Sequence, residues 1–289
     1  MERKPDYHSP ETVWPPGFSS LELRLEPGIM HVVHGGQGPP LTLVHGLGGC
    51  AQDFRHLAPR LAQRFSLIIP DLFGFGRSSK PDADYSLAWH AESLAAMAGE
   101  LGLKKAAWLG HSLGGLLTLR LGACHPSLTS RLIAVCPAGG HEKAHPFHRF
   151  LMKALVRPGD RLIFWRPFMV RLCVRQIFFD PHIPEARELT DRLIRQWRGP
   201  ERPALERSLI RTARHILKDP VWPLAGRVKL PVLMIAGKYD RIVPLPEIQR
   251  LLDHLPAGRL HLLDCGHMPP FSRPADLARL VCDFLCDIF

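Results

Sequence analysis

Short apolar runs alternate with stretches of helical periodicity in two separate parts of this 289-residue chain. The first part extends from Ile29 to about Cys136, and the second extends from Pro231 to the C-terminus. Apolar runs of strand length that alternate with amphipathic helices are typical of a parallel sheet covered by helices. We therefore predict an α/β fold with a mostly parallel central sheet.

The strand pattern stops between residue 139 and about residue 220, where helical patterns take its place. These patterns cover residues 147–156, 168–179, 185–197 and 205–217. They predict an all-helical insertion in an otherwise continuous core. The predicted boundaries are an N-terminal extension at 1–19, a core at 20–140 and 221–289, and the helical insertion at 141–220.

A serine flanked by glycines follows the apolar run at residues 106–109. The segment Gly110-His111-Ser112-Leu113-Gly114 leads into a helix-compatible stretch, which predicts a strand, a sharp turn and a helix. Such a turn holds the serine above the edge of the sheet, and the glycines let the strand and helix backbones approach closely. Ser112 is therefore the candidate nucleophile.

A second glycine-rich turn, His45-Gly46-Leu47-Gly48-Gly49, follows the apolar run at residues 41–44. From the end of a strand, the backbone N–H of Leu47 would point at a developing oxyanion, with the N–H of Leu113 as the second donor. We expect His45 and His111 to support these loops rather than to react.

A carboxylate and an imidazole follow two later strand-like runs. Asp240 comes just after the first of these runs, and His267 lies in the loop after the second. Asp240 is the predicted acid and His267 the predicted base. Asp264 and Asp219 are alternative acids, although Asp264 is close in sequence to His267 and Asp219 lies at the edge of the helical insertion.

Together, the His45-Gly46 turn, residues 110–115, Asp240 and His267 resemble the α/β-hydrolase superfamily, in which the triad follows the chain order Ser…Asp…His. The segment Asp71-Leu72-Phe73-Gly74-Phe75-Gly76-Arg77-Ser78-Ser79 resembles the loop after that family's fourth strand. The likeness extends from about residue 20 to the C-terminus and is weakest in the middle. It implies the α/β-hydrolase fold, with the helical insertion as a cap over the serine.

The resemblance also implies a reaction. Ser112 would attack an ester carbonyl with His267 as base and Asp240 as acid, and an acyl-serine would then be released by water. The N–H groups of Leu47 and Leu113 would form the oxyanion hole. The expected activity is serine-dependent hydrolysis of small to medium apolar acyl esters, with monoacylglycerols as one candidate substrate.

Other activities remain open at this point. Carbon–carbon bond hydrolases of aromatic ring-cleavage products share the serine and the cap, but they usually carry a tryptophan after the histidine, where this chain has Met268. A non-catalytic ligand receptor or scaffold is the alternative of another class. Haloalkane dehalogenases and epoxide hydrolases are disfavoured because they have aspartate where this chain has Ser112.

The helical insertion contains more apolar side chains than its docking onto a sheet requires. We therefore expect some of them to line an apolar substrate pocket, while ordinary packing is the alternative for each residue. The predicted substrate contacts are Gly46, His111, Phe164, Phe168 and Met268.

The charge of the chain is concentrated in the helical insertion, which carries a net +8 of the total +10. A basic face of this kind attracts anionic lipid surfaces or acidic substrates. An ordinary solvated face is the favoured explanation, and membrane-surface contact is the lesser one. Because no nucleic-acid-binding motif accompanies the charge, a nucleic-acid partner is not expected. The oligomeric state is left open.

The remaining composition bears on cofactors and location. The seven cysteines are scattered and odd in number, which indicates reduced thiols, and we interpret them as small buried hydrophobes rather than metal ligands. No metal and no cofactor are therefore expected. Neither a membrane-spanning run nor a signal-peptide pattern is evident, so we predict a cytoplasmic protein.

Overall fold

The structure is a computed structural model that describes residues 14–138, 167–219 and 222–286. The helix predicted at residues 147–156 and the predicted substrate contact Phe164 lie outside the described residues.

One sheet contains the eight strands of the described chain. They are β1 (Phe18–Leu25), β2 (Gly28–Gly35), β3 (Pro40–Val44), β4 (Ser66–Pro70), β5 (Ala106–His111), β6 (Thr129–Val135), β7 (Val232–Gly237) and β8 (Gly258–Leu263). Their order across the sheet is β1-β2-β4-β3-β5-β6-β7-β8. The hairpin β1–β2 and the pair β2–β4 are antiparallel, and the other pairs are parallel.

Helices connect these strands. They are α1 (Ala58–Leu61), α2 (Leu87–Glu100), α3 (Leu113–Cys124), α4 (Pro167–Ile177), α5 (Pro184–Arg198), α6 (Arg202–Lys218), α7 (Trp222–Ala225), α8 (Leu245–Asp253), α9 (Pro269–Ser272) and α10 (Pro274–Cys286). Short 3₁₀ helices lie at Ala51–Phe54 and Pro126–Leu128. The mostly parallel sheet flanked by helices, predicted from the sequence, is confirmed.

The central strands are continuous apolar runs because both of their faces are covered. All six residues of β5 and all six of β7 are buried. Successive side chains point to opposite faces of a strand, so neighbouring residues of β5 enter different cores. Trp108 packs into the cluster on one face, and Leu109 packs into the cluster on the other. The edge strand β1 alternates instead between half-buried and exposed positions over most of its length.

Helices α4, α5 and α6 lie in the chain between β6 and β7, where the helical insertion was predicted. Their ends differ from the predicted ones by up to three residues, and the largest shift is at the start of α6. Pro203 lies in the first turn of that helix, where its missing N–H costs nothing. The apolar periodicity used for the prediction begins only at Leu205. Among the described helices, none combines the length and the apolar character needed to cross a bilayer.

Ion pairs join α5 and α6 to the core. Because these pairs use arginine and glutamate side chains of the insertion, part of its charge faces the core rather than solvent. The pairs are Arg192–Asp53, Arg55–Glu188, Lys80–Glu201 at 2.9 Å and Arg211–Asp82 at 2.5 Å.

Candidate active site

Ser112 occupies a strained turn between β5 and α3. Its φ of 54° and ψ of −113° lie in a region that residues with a Cβ rarely adopt. Hydrogen bonds hold it there: its N–H donates to the Val135 carbonyl at 2.9 Å, and its own carbonyl accepts from the Leu116 N–H at 3.2 Å and the Ala138 N–H at 3.1 Å. Such strain persists where the surrounding structure enforces it, often at functional sites.

The glycines on either side of Ser112 make this turn possible. A Cβ at Gly110 would overlap the backbone of Gly114, and a Cβ at Gly114 would overlap the Val44 carbonyl. The end of β5, the start of α3 and the end of β3 therefore meet without side chains between them.

The structure brings the three predicted triad residues together from separate strand ends. Ser112 follows β5, Asp240 follows β7 and His267 follows β8. The Nε2 of His267 lies 3.1 Å from the Ser112 Oγ, and the Nδ1 of the same ring lies 2.7 Å from the Asp240 Oδ2. The other carboxylate oxygen of Asp240 accepts hydrogen bonds from the N–H groups of Ile242, at 2.8 Å, and Val243, at 2.9 Å.

These contacts determine the charge of Asp240. Burial alone would raise the pKa of its carboxyl, but the charge and hydrogen bond of His267, together with the Val243 and Ile242 amides, lower it below the ordinary value of 3.8. An ionised carboxylate only accepts, so the proton of a neutral His267 lies on Nδ1. The Nε2 of His267 is then available to accept the proton of the Ser112 hydroxyl.

The backbone of His267 is fixed on both sides. Its N–H donates to the carbonyl of Ile177, the last residue of α4, at 2.7 Å. Its carbonyl accepts from the Nε2 of His111 at 2.7 Å. Burial, aided by the neighbouring imidazole of His267, lowers the pKa of His111 to about 4. His111, predicted as a substrate contact, thus lies buried as a neutral support for the loop that carries His267.

The turn that contains Leu47 is held against Ser112. A Cβ at Gly46 would lie 3.3 Å from the Ser112 Cβ. The Nδ1 of His45 donates to the Gly46 carbonyl at 2.7 Å, and its Nε2 accepts from the Leu72 N–H at 2.9 Å. Only a neutral ring can do both, and burial lowers the pKa of His45 accordingly. Leu113 is the first residue of α3, where an N–H has no acceptor within the helix.

Asp71 connects this turn to the loop after β4. Its carboxylate accepts from the N–H groups of Ala51 at 2.6 Å and Arg77 at 2.7 Å, and from the Nδ1 of His31 at 3.0 Å. Burial alone would raise the pKa of Asp71, but the hydrogen bond and charge interaction with His31 and the Arg77 amide lower it overall. Asp71 therefore organises the loops around the site as a buried carboxylate.

The alternative acids lie away from His267. Asp264 is exposed and pairs with Lys238 at 2.8 Å, and Asp219 pairs with Arg120 at 3.3 Å.

Of the other predicted substrate contacts in the described part of the chain, Met268 is buried directly after His267. Phe168 is 62 % exposed.

Cys136 was missed by the sequence reasoning. It directly follows β6, has a φ of 45° and is fully buried. Its thiol, an Asp240 carboxylate oxygen and a His267 ring nitrogen lie within 4.8 Å of one another. Among the residues described, this is the one group of three histidine, cysteine or acidic side chains close enough to hold a metal ion. A metal at this point would compete with the hydrogen bond between Asp240 and His267. The signal in the sequence was its position at the end of a buried strand, the same edge of the sheet that carries Ser112.

Comparison with known proteins identifies the family. The model of the alpha/beta hydrolase family matches residues 43–280, a span that contains every residue of the Ser112 site. The chain belongs to the α/β hydrolase family.

Curated relatives of this α/β hydrolase are named for different substrates. This chain is 31 % identical over 257 residues to the pimeloyl-[acyl-carrier protein] methyl ester esterase of Aeromonas hydrophila. The matched residues cover 86 % of this chain and 96 % of the relative. The chain is also 27 % identical over 271 residues to the 2-hydroxy-6-oxo-6-phenylhexa-2,4-dienoate hydrolase of Burkholderia cepacia, with 89 % and 91 % covered. The esterase of Exiguobacterium antarcticum shares the fold, with a TM-score of 0.81, 19 % identity and coverage of 93 % and 100 %.

Proposed function

We propose that this α/β hydrolase is a serine-dependent carboxylic-ester hydrolase. The observation that carries the proposal is the series of hydrogen bonds from the Ser112 Oγ through His267 to Asp240, with lengths of 3.1 and 2.7 Å. A serine hydroxyl is a weak nucleophile at neutral pH and needs a base at this distance, oriented by a third group. Ser112, His267 and Asp240 have these roles in the proposed reaction.

The reaction begins when the Ser112 Oγ attacks the ester carbonyl carbon and its proton passes to the His267 Nε2. Asp240 stabilises the resulting imidazolium. The charge on the former carbonyl oxygen is stabilised by the N–H groups of Leu47 and Leu113, each worth about 3 kcal/mol in comparable sites. His267 then gives its proton to the leaving alcohol. Water, activated by the same imidazole, hydrolyses the acyl-serine.

Contacts from the helical insertion support its role as a cap in this proposal. The Ile177 carbonyl accepts from the His267 N–H, and the Leu209 side chain lies beside Gly48. α4 and α6 thus reach the loops on both sides of Ser112. We expect the apolar side chains of these helices to limit the size of the acyl group, and small to medium apolar acyl esters, monoacylglycerols among them, are the proposed substrates.

Carbon–carbon bond hydrolysis is the second candidate, favoured by the similarity to the Burkholderia cepacia hydrolase. The same series of hydrogen bonds would serve that reaction. Met268 in the position after His267 argues for the ester hydrolase instead.

The test compares p-nitrophenyl esters from acetate to palmitate with an aromatic ring-cleavage dienoate. Wild type, Ser112→Ala and the control Ser127→Ala, which alters an exposed serine, are assayed on each substrate. We expect turnover to peak at one acyl length and to disappear in Ser112→Ala only. Faster cleavage of the dienoate than of every ester would replace the proposal with the second candidate. Equal rates for Ser112→Ala and Ser127→Ala would refute both.

A further inference from the structure

A cavity is lined by residues of the 3₁₀ helix Ala51–Phe54, of the hairpin β1–β2 and of the helices α5 and α6. Its volume is about 530 Å³, within the range of small-molecule sites. Its apolar walls include Trp14, Phe18, Val33 and Leu205. None of Ser112, His267 and Leu47 is among the described residues that line it, so it is separate from the site at Ser112.

Two side chains that line this cavity have buried polar atoms without a partner. The Nη2 of Arg192 donates to Asp53, but its Nε and Nη1 are buried and have no acceptor. The Nδ1 of His31 is bonded to Asp71, but its Nε2 is buried and has no partner, and the His31 side chain is only 6 % exposed. An orphaned buried polar group costs about 1–3 kcal/mol, so a polar ligand is a natural explanation.

The charges around the cavity favour an anion with a single charge. Four cationic side chains line it, namely Arg77, Lys80, Arg192 and Arg195. They face three carboxylates: Asp71 and Glu201 in the wall and Asp53 bonded to Arg192. Among the described residues of the cavity, with the histidine left out of the count, cationic side chains outnumber carboxylates by one. Asp71 already accepts hydrogen bonds from backbone N–H groups, and Glu201 already pairs with Lys80. A cation bound in the cavity would have to replace these contacts.

We propose that this cavity binds a single-chain amphiphile with a carboxylate head group. Arg192 is the principal partner of the carboxylate, through its Nε and Nη1 donors, which have no acceptor within the protein. The hydrocarbon chain lies against Trp14, Phe18 and Leu205. Binding here is independent of the reaction at Ser112.

The test is a titration of the full chain with dodecanoate, followed by calorimetry, with dodecan-1-ol as the uncharged ligand of equal length. Because dodecanoate also resembles a product of ester hydrolysis, the titration is repeated on protein treated with a serine-directed phosphonate. Arg192→Gln removes the proposed partner. Arg198→Gln is the matched control, since Arg198 is an exposed residue of the same helix and does not line the cavity.

We expect one dodecanoate per chain, with at least tenfold weaker binding of dodecan-1-ol and at least tenfold weaker binding of dodecanoate to Arg192→Gln. Arg198→Gln and the phosphonate-treated protein bind like wild type. Since Arg192→Gln leaves the Asp53 carboxylate unpaired, Ser20→Trp provides a second variant, which fills the cavity from β1 and abolishes binding.

Three results would overturn the proposal: equal affinity for acid and alcohol, unchanged affinity in both Arg192→Gln and Ser20→Trp, or loss of binding after phosphonate treatment. Failure of the phosphonate to modify Ser112 would count against the proposed esterase only. The comparison between the variants would still decide whether the cavity binds the carboxylate.

Discussion

Asp240 and Asp264 lie 24 residues apart on consecutive loops, yet their surroundings differ completely. Asp240 is buried, accepts two backbone N–H groups and contacts the His267 ring, whereas the Asp264 side chain is 61 % exposed. The sequence favoured Asp240 because it follows a strand of its own, and the structure places this carboxylate, rather than that of Asp264, against the His267 ring. Its two amide partners lie in a turn whose conformation is not encoded in any apolar pattern.

Replacing Asp240 with asparagine leaves its shape but lets the side chain donate to His267, which favours the wrong tautomer of the ring. We expect Asp240→Asn to lower kcat for the best p-nitrophenyl ester by about 10⁴-fold, as the same change does in serine proteases. Asp264→Asn is the control and keeps kcat within about twofold of wild type, since surface substitutions away from a site have small effects. A comparable loss in both variants would show that Asp240 has no special role.

His111 gives the folded protein an acid sensitivity. Its pKa is lowered to about 4 by burial and by His267, below the value of 6.5 of an ordinary histidine. The neutral ring is therefore favoured by folding, and this contribution is complete above pH 6.5 and is lost as the pH falls toward 4. The loss is on the order of 3 kcal/mol across that interval.

The measurement is the free energy of unfolding in urea at several pH values from 4 to 7. We expect His111→Gln, whose amide can still donate to the His267 carbonyl, to flatten this dependence. His261→Gln, a change at an exposed position of β8, leaves it as in wild type. An unchanged slope in His111→Gln would contradict the explanation.

At the scale of elements, the strand ends and the turns between them place the site. The strands were predictable because β5 and β7 are buried on both faces, so their sequences are uninterrupted apolar runs. The strained turn after β5 was also predictable, because glycines at 110 and 114 are the signature of close backbone approach. The start of α6 was less predictable, since a proline in its first turn precedes the apolar periodicity.

Gly114 tests the close approach of α3 and β3. A Cβ at this position would overlap the Val44 carbonyl, and that backbone cannot move without shifting the sheet. We expect Gly114→Ala to destabilise the protein by about 3 kcal/mol, the upper end of the usual cost of overpacking, and to remove activity.

Gly99 near the end of α2 is the matched control. A Cβ there meets nothing within 4 Å, so Gly99→Ala is expected to be neutral or to stabilise by about 0.5–1 kcal/mol. Thermal unfolding of both variants provides the comparison. Similar melting temperatures for the two variants would contradict the close contact between Gly114 and the Val44 carbonyl.

At the scale of the whole molecule, the placement of the helical insertion was the least predictable feature. The number and approximate ends of α4 to α6 follow from their amphipathic periodicity. Their docking depends on pairs that are distant in sequence, such as Asp53 and Arg192, which are 139 residues apart. The same holds for the Ile177 carbonyl and the His267 N–H. A local sequence pattern does not show which distant residues pair. For this reason the basic side chains of the insertion were interpreted as a solvated face, although some of its arginines pair with carboxylates of the core.

Asp53 and Asp82 allow the docking to be tested. The Asp53 side chain is 5 % exposed and neutralises a largely buried Arg192, whereas the Asp82 side chain is 73 % exposed. Removing one partner of a buried pair leaves the other charge uncompensated, so we expect Asp53→Asn to lower the free energy of unfolding by about 3 kcal/mol. Asp82→Asn leaves the urea midpoint unchanged, because solvent and salt screen exposed pairs. Equal midpoints for the two variants would contradict the buried contact.

The central claim is that Ser112, activated by His267, is the nucleophile. The most direct measurement treats the protein with a p-nitrophenyl phosphonate, locates the modified peptide by mass spectrometry and follows ester turnover in parallel. We predict one phosphonyl group per chain, on Ser112, with turnover falling in proportion to modification. Full turnover in the completely modified protein, or modification at a residue other than Ser112, would contradict the mechanism.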